Sequence, residues 1–416
     1  VTTNEDGNFS IHKPARSHML VVSFIGFEND TIHVDKGNQQ LDIVLREGVE
    51  LSEVNVVTRK LGTMKLRTSV MNEDMISSAE LTRAACCNLG ESFVTNPSVD
   101  VSYSDAATGA KQIKLLGLSG TYVQMMTENI PNFRGAAAPY GLGYVPGPWM
   151  QSIQVSKGSS SVKNGYESIT GQINVEFKKP QLPEADWVSA NLFASSTNRY
   201  EANADATVKL SKRWSTSLLA HYENETKSHD SNDDGFVDIP RVEQYNVWNR
   251  WAYMGDHYVF QAGIKALHET RNSGQIAHRN TPSHDLYEIG IKTNRYEAFT
   301  KNAYIFDKEK NTNLALILQG TLHNQDANYG RKLYDVDQSN FYASLLFETE
   351  LSKQHSLSAG LSFNYDGYDQ NYRLTNQAEE GLTKKFVKES VPGAYVQYTF
   401  NLNDQLMLMG GIRGDY

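Results

Sequence analysis

From Asp186 onward, hydrophobic and polar residues alternate one by one. Val188, Ala190, Leu192 and Ala194 interleave with Ser189, Asn191, Phe193 and Ser195. Trp214, Thr216, Leu218, Ala220 and Tyr222 interleave with Ser215, Ser217, Leu219, His221 and Glu223. Leu357, Ala359, Leu361, Phe363 and Tyr365 interleave with serines, Gly360 and Asn364. A period of 2 is that of a β-strand with two chemically different faces. Eleven strands are predicted, at about 187–195, 200–210, 213–223, 244–253, 257–267, 295–306, 313–323, 341–351, 355–365, 393–401 and 405–414. Each is roughly as long as a tilted strand needs to be to cross a bilayer.

The connections carry more information than the strand count. Short turns fall at Ser211-Lys212, Gly255-Asp256, Asp307–Thr312, Ser352–Gln354 and Leu402–Asp404. Long polar stretches fall between them, at 224–243, 268–294, 324–340 and 366–392. Short turns at one end and long loops at the other form the pattern of an outer-membrane β-barrel. A soluble β-sandwich or β-solenoid would explain the alternation but not why every second connection is long. Trp187, Tyr200, Trp248, Trp251 and Tyr304, at strand ends, fit an interfacial aromatic girdle.

The first part of the chain reads differently. Residues 1–48 are predicted as a truncated β-sandwich, with a buried strand over Met19–Phe27 and an alternating one over Leu41–Leu45. Residues 49–57 form a polar, acidic link, and residues 58–180 mix helix and strand. Ser77-Ser78-Ala79-Glu80 has the form of a capping box, and the helix it opens is expected to run to about Val94, before Asn96-Pro97. Strands are expected around 112–116, 122–126, 152–156 and 171–177, with a Gly/Pro-rich loop over 135–148. The fold class is therefore mainly β: a β-sandwich fragment, an α+β domain, then an antiparallel transmembrane barrel from residue 186 to 416.

Composition narrows the class. Mean hydropathy is negative, and no apolar run is long enough to span a bilayer as a helix. Barrel strands need apolar residues only at alternate positions, so they escape that test. The 22 Tyr, 16 Phe and 5 Trp against 11 Pro suit such strands. A net charge of −9 argues against general nucleic-acid binding. No signal peptide opens the chain. Both ends fall inside β-rich patterns and read as cut.

Residues 151–175 hold an ordered set of motifs. Gln154-Val155-Ser156-Lys157-Gly158 is followed by Asn164-Gly165 and then by Gly171-Gln172-Ile173-Asn174. This resembles the closing segment of the plug domain of TonB-dependent receptors: Glu-Val-x-Lys-Gly, Tyr-Gly, Gly-Gly-x-Ile-Asn. Upstream, Tyr122–Pro131 is similar to that plug's strand and Asp-Gly-x-Pro turn, here Glu128-Asn129-Ile130-Pro131, while Leu116-Gly117 stands for the usual Arg-Gly. Residues 1–48 resemble the carboxypeptidase-regulatory-like extension found on such receptors in Bacteroidetes.

The resemblance implies a non-enzymatic receptor in a Gram-negative outer membrane, its N-terminal extension in the periplasm. It implies energy-coupled uptake of a scarce ligand, with a TonB-ExbB-ExbD complex, membrane lipid and a metal chelate as partners and no required cofactor. A ferric siderophore is the family's default ligand; copper is the alternative, and cobalamin or glycan stays open. A non-transporting adhesin or assembly barrel is the other class, and such barrels lack a plug. The family's barrel has about 22 strands and needs a plug in its lumen, so about half of it is expected beyond Tyr416. Glu53, Val54, Asn55, Val56 and Val57 fall where the family has its TonB box, which adds a strand to TonB; a plain linker strand is the other reading.

Two further constellations stand out. Asp230, Asn232, Asp234, Phe236 and Asp238 follow D-x-N-x-D-G-x-x-D, the first part of an EF-hand-like calcium loop. Arg241 occupies position twelve instead of the bidentate Glu, so the alternative is a solvated acidic loop. Cys86, Cys87, Met125 and Met126 bring sulfur to one domain, as a Cu(I) site would; ordinary core packing is the alternative. No nucleophile elbow, phosphate loop or zinc-enzyme motif is found.

Overall fold

A computed structural model describes residues 11, 19–22, 30–33, 41 and 43, and then 63–65, 73–83, 87–94, 96, 99–118, 120–158, 161–180, 188–276, 286–374, 383–403 and 406–416. The chain divides into two compact units, Val1–Arg59 and Lys60–Tyr416. In the first, β1 (Met19–Val22) pairs antiparallel with β2 (Asp30–His33), Met19 opposite His33. The candidate TonB box, 53–57, and Cys86 lie outside the described residues.

The second unit begins with β3 (Thr63–Lys65), β4 (Glu73–Ser77), a short helix α1 (Ser78–Arg83), and the hairpin β5 (Val99–Asp105) and β6 (Ala110–Leu115). Then come β7 (Val123–Thr127), β8 (Ile130–Pro131), β9 (Met150–Lys157) and β10 (Gly171–Phe177). Six of these strands form one sheet in the order β3-β4-β9-β10-β7-β8. β10 runs antiparallel to β9 and parallel to β7, so it is covered on both edges. Ile173, Val175 and Phe177 enter the core on one face. On the other, Gln172 accepts from Asn164 Nδ2, and Asn174 Nδ2 donates to Gln154 and Glu176. The Gly-Gln-Ile-Asn motif is thus buried on both sides, with its amides satisfied by side chains.

The long helix expected from Ser77 to Val94 is not formed. α1 is described only over Ser78–Arg83, and Leu89–Phe93 is a separate 3₁₀ turn capped by Asn88 Oδ1, which accepts from Glu91 N–H. Ser77 stands directly before α1, but it also ends β4, opposite Ser152 of β9, and among the described residues its Oγ has no hydrogen-bond partner, so its side chain does not cap the helix. Glu80 bonds forward to Arg83 at 2.7 Å instead of back to Ser77. Sheet pairing outbids the local capping signal.

Eleven strands follow: β11 (Val188–Ala194), β12 (Arg199–Lys209), β13 (Trp214–Glu225), β14 (Arg241–Met254), β15 (Tyr258–Gly274), β16 (Glu288–Asp307), β17 (Thr312–Tyr329), β18 (Lys332–Ser352), β19 (His355–Leu374), β20 (Thr383–Asn403) and β21 (Leu406–Asp415). They form one antiparallel sheet in strict sequence order. Among the described residues β11 pairs only with β12 and β21 only with β20, so the sheet is open.

The sheet is inside-out compared with a soluble one. On β13, Ser215, Ser217, His221 and Glu223 are buried while Trp214 and Leu218 are exposed. On β15, Lys265 and Glu269 are buried and Ile264 is 70% exposed. Apolar groups outward and polar groups inward is the arrangement a lipid-facing wall requires. The inner face is covered by the preceding domain: Leu219, Trp248, Leu267, Ile289, Ile291 and Ala327 join one core with Trp149, Tyr144 and Phe177. Trp248 is therefore no girdle residue. It is 6% exposed and packs edge-on against Phe177 at 4.7 Å. Trp251 and Tyr304 do face outward.

Of the polar stretches read as long loops, 224–243 is a connection between β13 and β14, while the described parts of 268–294, 324–340 and 366–392 are largely strand. β17 and β18 are joined only by Gly330 and Arg331, and β18 has 21 residues. At roughly 3.3 Å per residue and a tilt near 40°, it rises about 50 Å, against a hydrocarbon core of about 30 Å. The excess stands in water, and there the face pattern reverses. Ile289 and Ile291 point in, and Glu288 and Lys292 point out.

The wall's polarity yields a stability prediction. Ile264→Arg puts a charge into the outward apolar band and should cost about 2–4 kcal/mol in a bilayer. Lys292→Ala, on the same outer surface but in the water-exposed extension, should change stability by less than about 0.5 kcal/mol. Unfolding in lipid vesicles measures both; equal effects would reject the assignment of the lipid-facing band.

Candidate functional site

The inner domain and the wall meet in a buried charge cluster. Between β7 and β8 the chain turns through Glu128 (φ 51°) and Asn129 (φ 62°), both left-handed. Such a backbone is costly for Glu, but it aims the carboxylate at the wall. Arg250 of β14 donates to Glu128 Oε1 at 2.6 Å, and Lys301 Nζ of β16 lies 3.7 Å from Oε2 while donating to the Glu128 carbonyl at 2.6 Å. Arg250 also donates to the Lys178 carbonyl at 2.8 Å and stacks over Trp248 at 4.5 Å. Burial alone would raise the Glu128 carboxyl, but Arg250, Lys301 and Lys179 beside it hold it down, at about 2. Next in the chain, Asn132 donates to Glu297 at 2.9 Å and accepts from Arg295 at 2.6 Å.

A second contact lies at the other end of this domain. Arg134 is shared between Glu167 of its own domain (2.7 Å) and Asp366 of β19 (2.8 Å). The Ala136 N–H donates to Gln338 of β18, whose amide donates on to Asp366 and Tyr368. Gly135 (φ +57°) passes so close to Tyr368 that a Cβ there would lie 2.3 Å from the hydroxyl. Above this contact opens a cavity of about 490 Å³. Its walls are Tyr140 and the 135–139 backbone on one side and Gln325, Tyr329, Tyr334, Tyr368 and Gln370 on the other. A smaller void of about 30 Å³, beside Glu128 and Trp248, has room only for water.

A stopper-like domain salted into a polar-lined wall, with a cavity between them, has known counterparts. Residues 65–172 match the family model of the TonB-dependent Receptor Plug Domain, and residues 1–57 match the CarboxypepD_reg-like domain. Residues 65–172 thus have the sequence pattern of a TonB-dependent receptor plug. Solved structures agree in fold. The alcaligin outer-membrane receptor FauA of Bordetella pertussis superposes with a TM-score of 0.67 at 13% identity, over 84% of this chain and 55% of that one. The ferripyoverdine receptor of Pseudomonas aeruginosa gives 0.67 at 14%, over 85% and 53%. The copper transporter OprC gives 0.66 at 13%, over 82% and 54%. The chain spans little more than half the length of each. No curated protein matches it. The eleven-stranded sheet agrees in fold with part of the barrels of these receptors.

The residues singled out by sequence are distributed through the chain as follows. Cys87 is buried in the plug, its N–H donating to Glu91. Burial, with Glu201 next, pushes its thiol well above the usual range. Met125 and Met126 are consecutive in β7 and so turn to opposite faces of the sheet; they cannot both face one ion. In the 226–240 connection, Asp230 accepts from the N–H groups of Asp234 and Gly235, Asn232 from Asp234 N–H, Asp234 from Phe236 N–H, and Asp238 from Ser231 N–H. The acidic side chains thus fold the loop by capping its backbone. Among the described residues, no three of His, Cys, Asp or Glu are grouped to hold a metal. What sequence reading missed is the tyrosine cavity. Three of its rings, Tyr329, Tyr334 and Tyr368, lie in stretches whose polar composition predicts loops. Their only signal was inward phase on an extended strand.

The Glu128 contact has a pH signature. Its carboxyl is depressed in the fold, so the stabilisation is complete above the ordinary value of 4.5 and fades as pH falls towards about 2. Glu128→Gln should cost about 3–5 kcal/mol at neutral pH by stranding Arg250. It should also flatten the dependence of the unfolding midpoint between pH 4.5 and 2, read by near-UV circular dichroism in detergent. An equally steep decline in the variant would move the acid sensitivity elsewhere.

Proposed function

We propose that this chain belongs to an energy-coupled receptor that captures a scarce organic ligand, a ferric siderophore or other metal chelate, and admits it past the plug. The observation that supports this reading is the 490 Å³ cavity shared by plug and wall. It lies at the end of the sheet where β17 meets β18, opposite the turns around 211, 255, 308, 353 and 404. In barrels the end with the short turns is periplasmic, so the cavity faces outside. A ligand held there touches both the plug, through Tyr140 and the 135–139 backbone, and the barrel.

The outer membrane holds no nucleotide to drive release, so the work must come from elsewhere. In this reading the Val1–Arg59 unit hangs in the periplasm, and Glu53–Val57 adds a strand to TonB of the TonB-ExbB-ExbD complex. Force on that segment reaches β3 and β4 first, since they follow directly in the chain. Capture of copper through Cys86, Cys87, Met125 and Met126 is the competing reading. The opposed faces of the two methionines weigh against it.

Deletion of Glu53–Val57 should abolish uptake of the chelate by whole cells while leaving its binding to purified protein unchanged. Uptake that survives the deletion would reject this box. In the same strain, Cys86→Ser with Cys87→Ser should leave chelate uptake intact; lost copper accumulation would favour the copper reading.

A further inference from the structure

We infer that the plug carries a detachable part, residues 87–115 with 139–147, which parts from the outer ends of β12–β15 while residues 123–136 and 150–179 stay seated. The division follows from where each wall charge finds its counter-charge. It concerns motion within the chain and holds whichever ligand is carried.

Some wall charges depend on the plug. Among the described residues, Arg250 and Lys301 are ion-paired with Glu128, Asp366 with Arg134, and Asp205 with Lys178. The side chains of Arg250 and Asp366 are 2% and 1% exposed. Withdrawing the plug residue leaves an unpaired charge in a buried place, which is strongly unfavourable. Phe177, edge-on against Trp248 at 4.7 Å, adds apolar contact to the same seated part.

The wall charges that face residues 87–115 are paired within the wall. Arg199 of β12 reaches plug Glu91 at 2.8 Å, but it also ion-pairs with wall Glu201 at 2.7 Å and wall Glu223 at 3.0 Å. Those two carboxylates are 1% and 9% exposed, so the described chain already covers them. They repel Glu91 while Arg199 attracts it. On the plug side, Glu91 keeps Lys111 at 3.9 Å and accepts from Asn88 Nδ2 at 3.1 Å. Arg271 of β15 repeats the arrangement: it donates to the Thr108 carbonyl at 3.2 Å and keeps wall Glu269 at 3.1 Å. The Cys87 thiol adds a weak hydrogen bond to Glu201. When this segment leaves, Arg199 and Arg271 retain wall carboxylates and Glu91 retains Lys111. No buried charge is stranded.

Residues 139–147 belong to the same part. The Leu89 N–H donates to the Val145 carbonyl, the Gly147 N–H to the Cys87 carbonyl and the Lys111 N–H to the Pro139 carbonyl. The wall holds this segment by carbonyls: Gln244 donates to Gly143, and Asn246 and Lys265 donate to Tyr144. Lys265 keeps Glu297 of the wall at 3.5 Å. Arg199, Gln244 and Arg271 all lie towards the strand ends away from the turns at 211 and 255, so the parting line opens outward.

Thiol labelling of the full chain in detergent tests this, because Cys87 sits on the parting line and is 6% exposed. With Cys86→Ser, Cys87 is the single thiol. The comparison thiol is Ile130→Cys on the seated part, where Ile130 is 3% exposed, with both native cysteines changed to Ser. Maleimide rates, each divided by the rate of the same thiol in guanidinium-unfolded chain, should be at least about tenfold higher at Cys87. Glu201→Gln with Glu223→Gln leaves Arg199 dependent on Glu91, so Cys87 labelling should slow by about fivefold, whereas a merely loosened fold would speed it. Glu223→Gln alone should shift the rate the same way and serves if the double variant does not fold. Glu128→Gln should speed labelling at Ile130→Cys about tenfold and leave Cys87 within about twofold. Equal normalised rates at the two thiols would mean that the plug moves as one body and would overturn the division. Faster Cys87 labelling in folded Glu223→Gln would show that these charges do not set the parting line.

Discussion

Arg250 is 2% exposed, and a guanidinium so deeply buried cannot stand without a carboxylate. Its partner, Glu128, belongs to the plug, 122 residues away in sequence. The reason this charge is buried at all lies in the lipid. A wall that turns its apolar side chains outward must turn its polar ones inward, and a wide lumen then holds arginines, lysines and glutamates that need neutralising. The plug supplies the missing halves: Glu128 for Arg250 and Lys301, the Asn132 amide for Arg295 and Glu297, Lys163 for Glu348 and Lys178 for Asp205. Wall and plug are therefore one electrostatic object. Neither has a satisfied inner surface without the other.

That constraint explains which parts of the fold are legible from sequence. Eleven strands are readable because the bilayer enforces alternation wherever it touches the chain. The extensions beyond the bilayer are not readable by the same rule. Water replaces lipid outside, the plug replaces the aqueous lumen inside, and the apolar face changes sides. Ile289 and Ile291 carry the alternation of β16 inward, out of phase with Tyr296, which faces lipid on the same strand. A pattern anchored on outward apolar residues stops at that reversal and reports a loop. The helix after Ser77 is shorter than expected for a different reason. Ser-x-x-Glu is a local signal, while the pairing of Ser77 with Ser152 is a tertiary one that no window around Ser77 contains.

The candidate site was legible to a lesser degree. The Glu128-Asn129 turn could be read from its place before Ile130-Pro131, since a tight hairpin needs left-handed residues there. Its partners could not, because Arg250 and Lys301 look like any charged residue on an alternating strand. The sulfur and calcium candidates rest on residue type and spacing. Spacing along a strand alternates direction, which sends Met125 and Met126 apart, and spacing along a loop brings backbone N–H groups to the acidic side chains as readily as it brings an ion.

The two contacts between plug and wall each bury a carboxylate, Glu128 of the plug in one and Asp366 of the wall in the other. Glu128 and Arg250 are 3% and 2% exposed, so separating them strands charges in a low-dielectric interior. Arg134, at the plug apex, is 18% exposed, and its partner on the wall, Asp366, is 1% exposed, so opening that contact also strands a buried carboxylate. The apex is also the floor of the tyrosine cavity, through Gly135, Ala136 and their contacts with Tyr368 and Gln338. Opening that contact and dismantling the cavity are thus the same displacement.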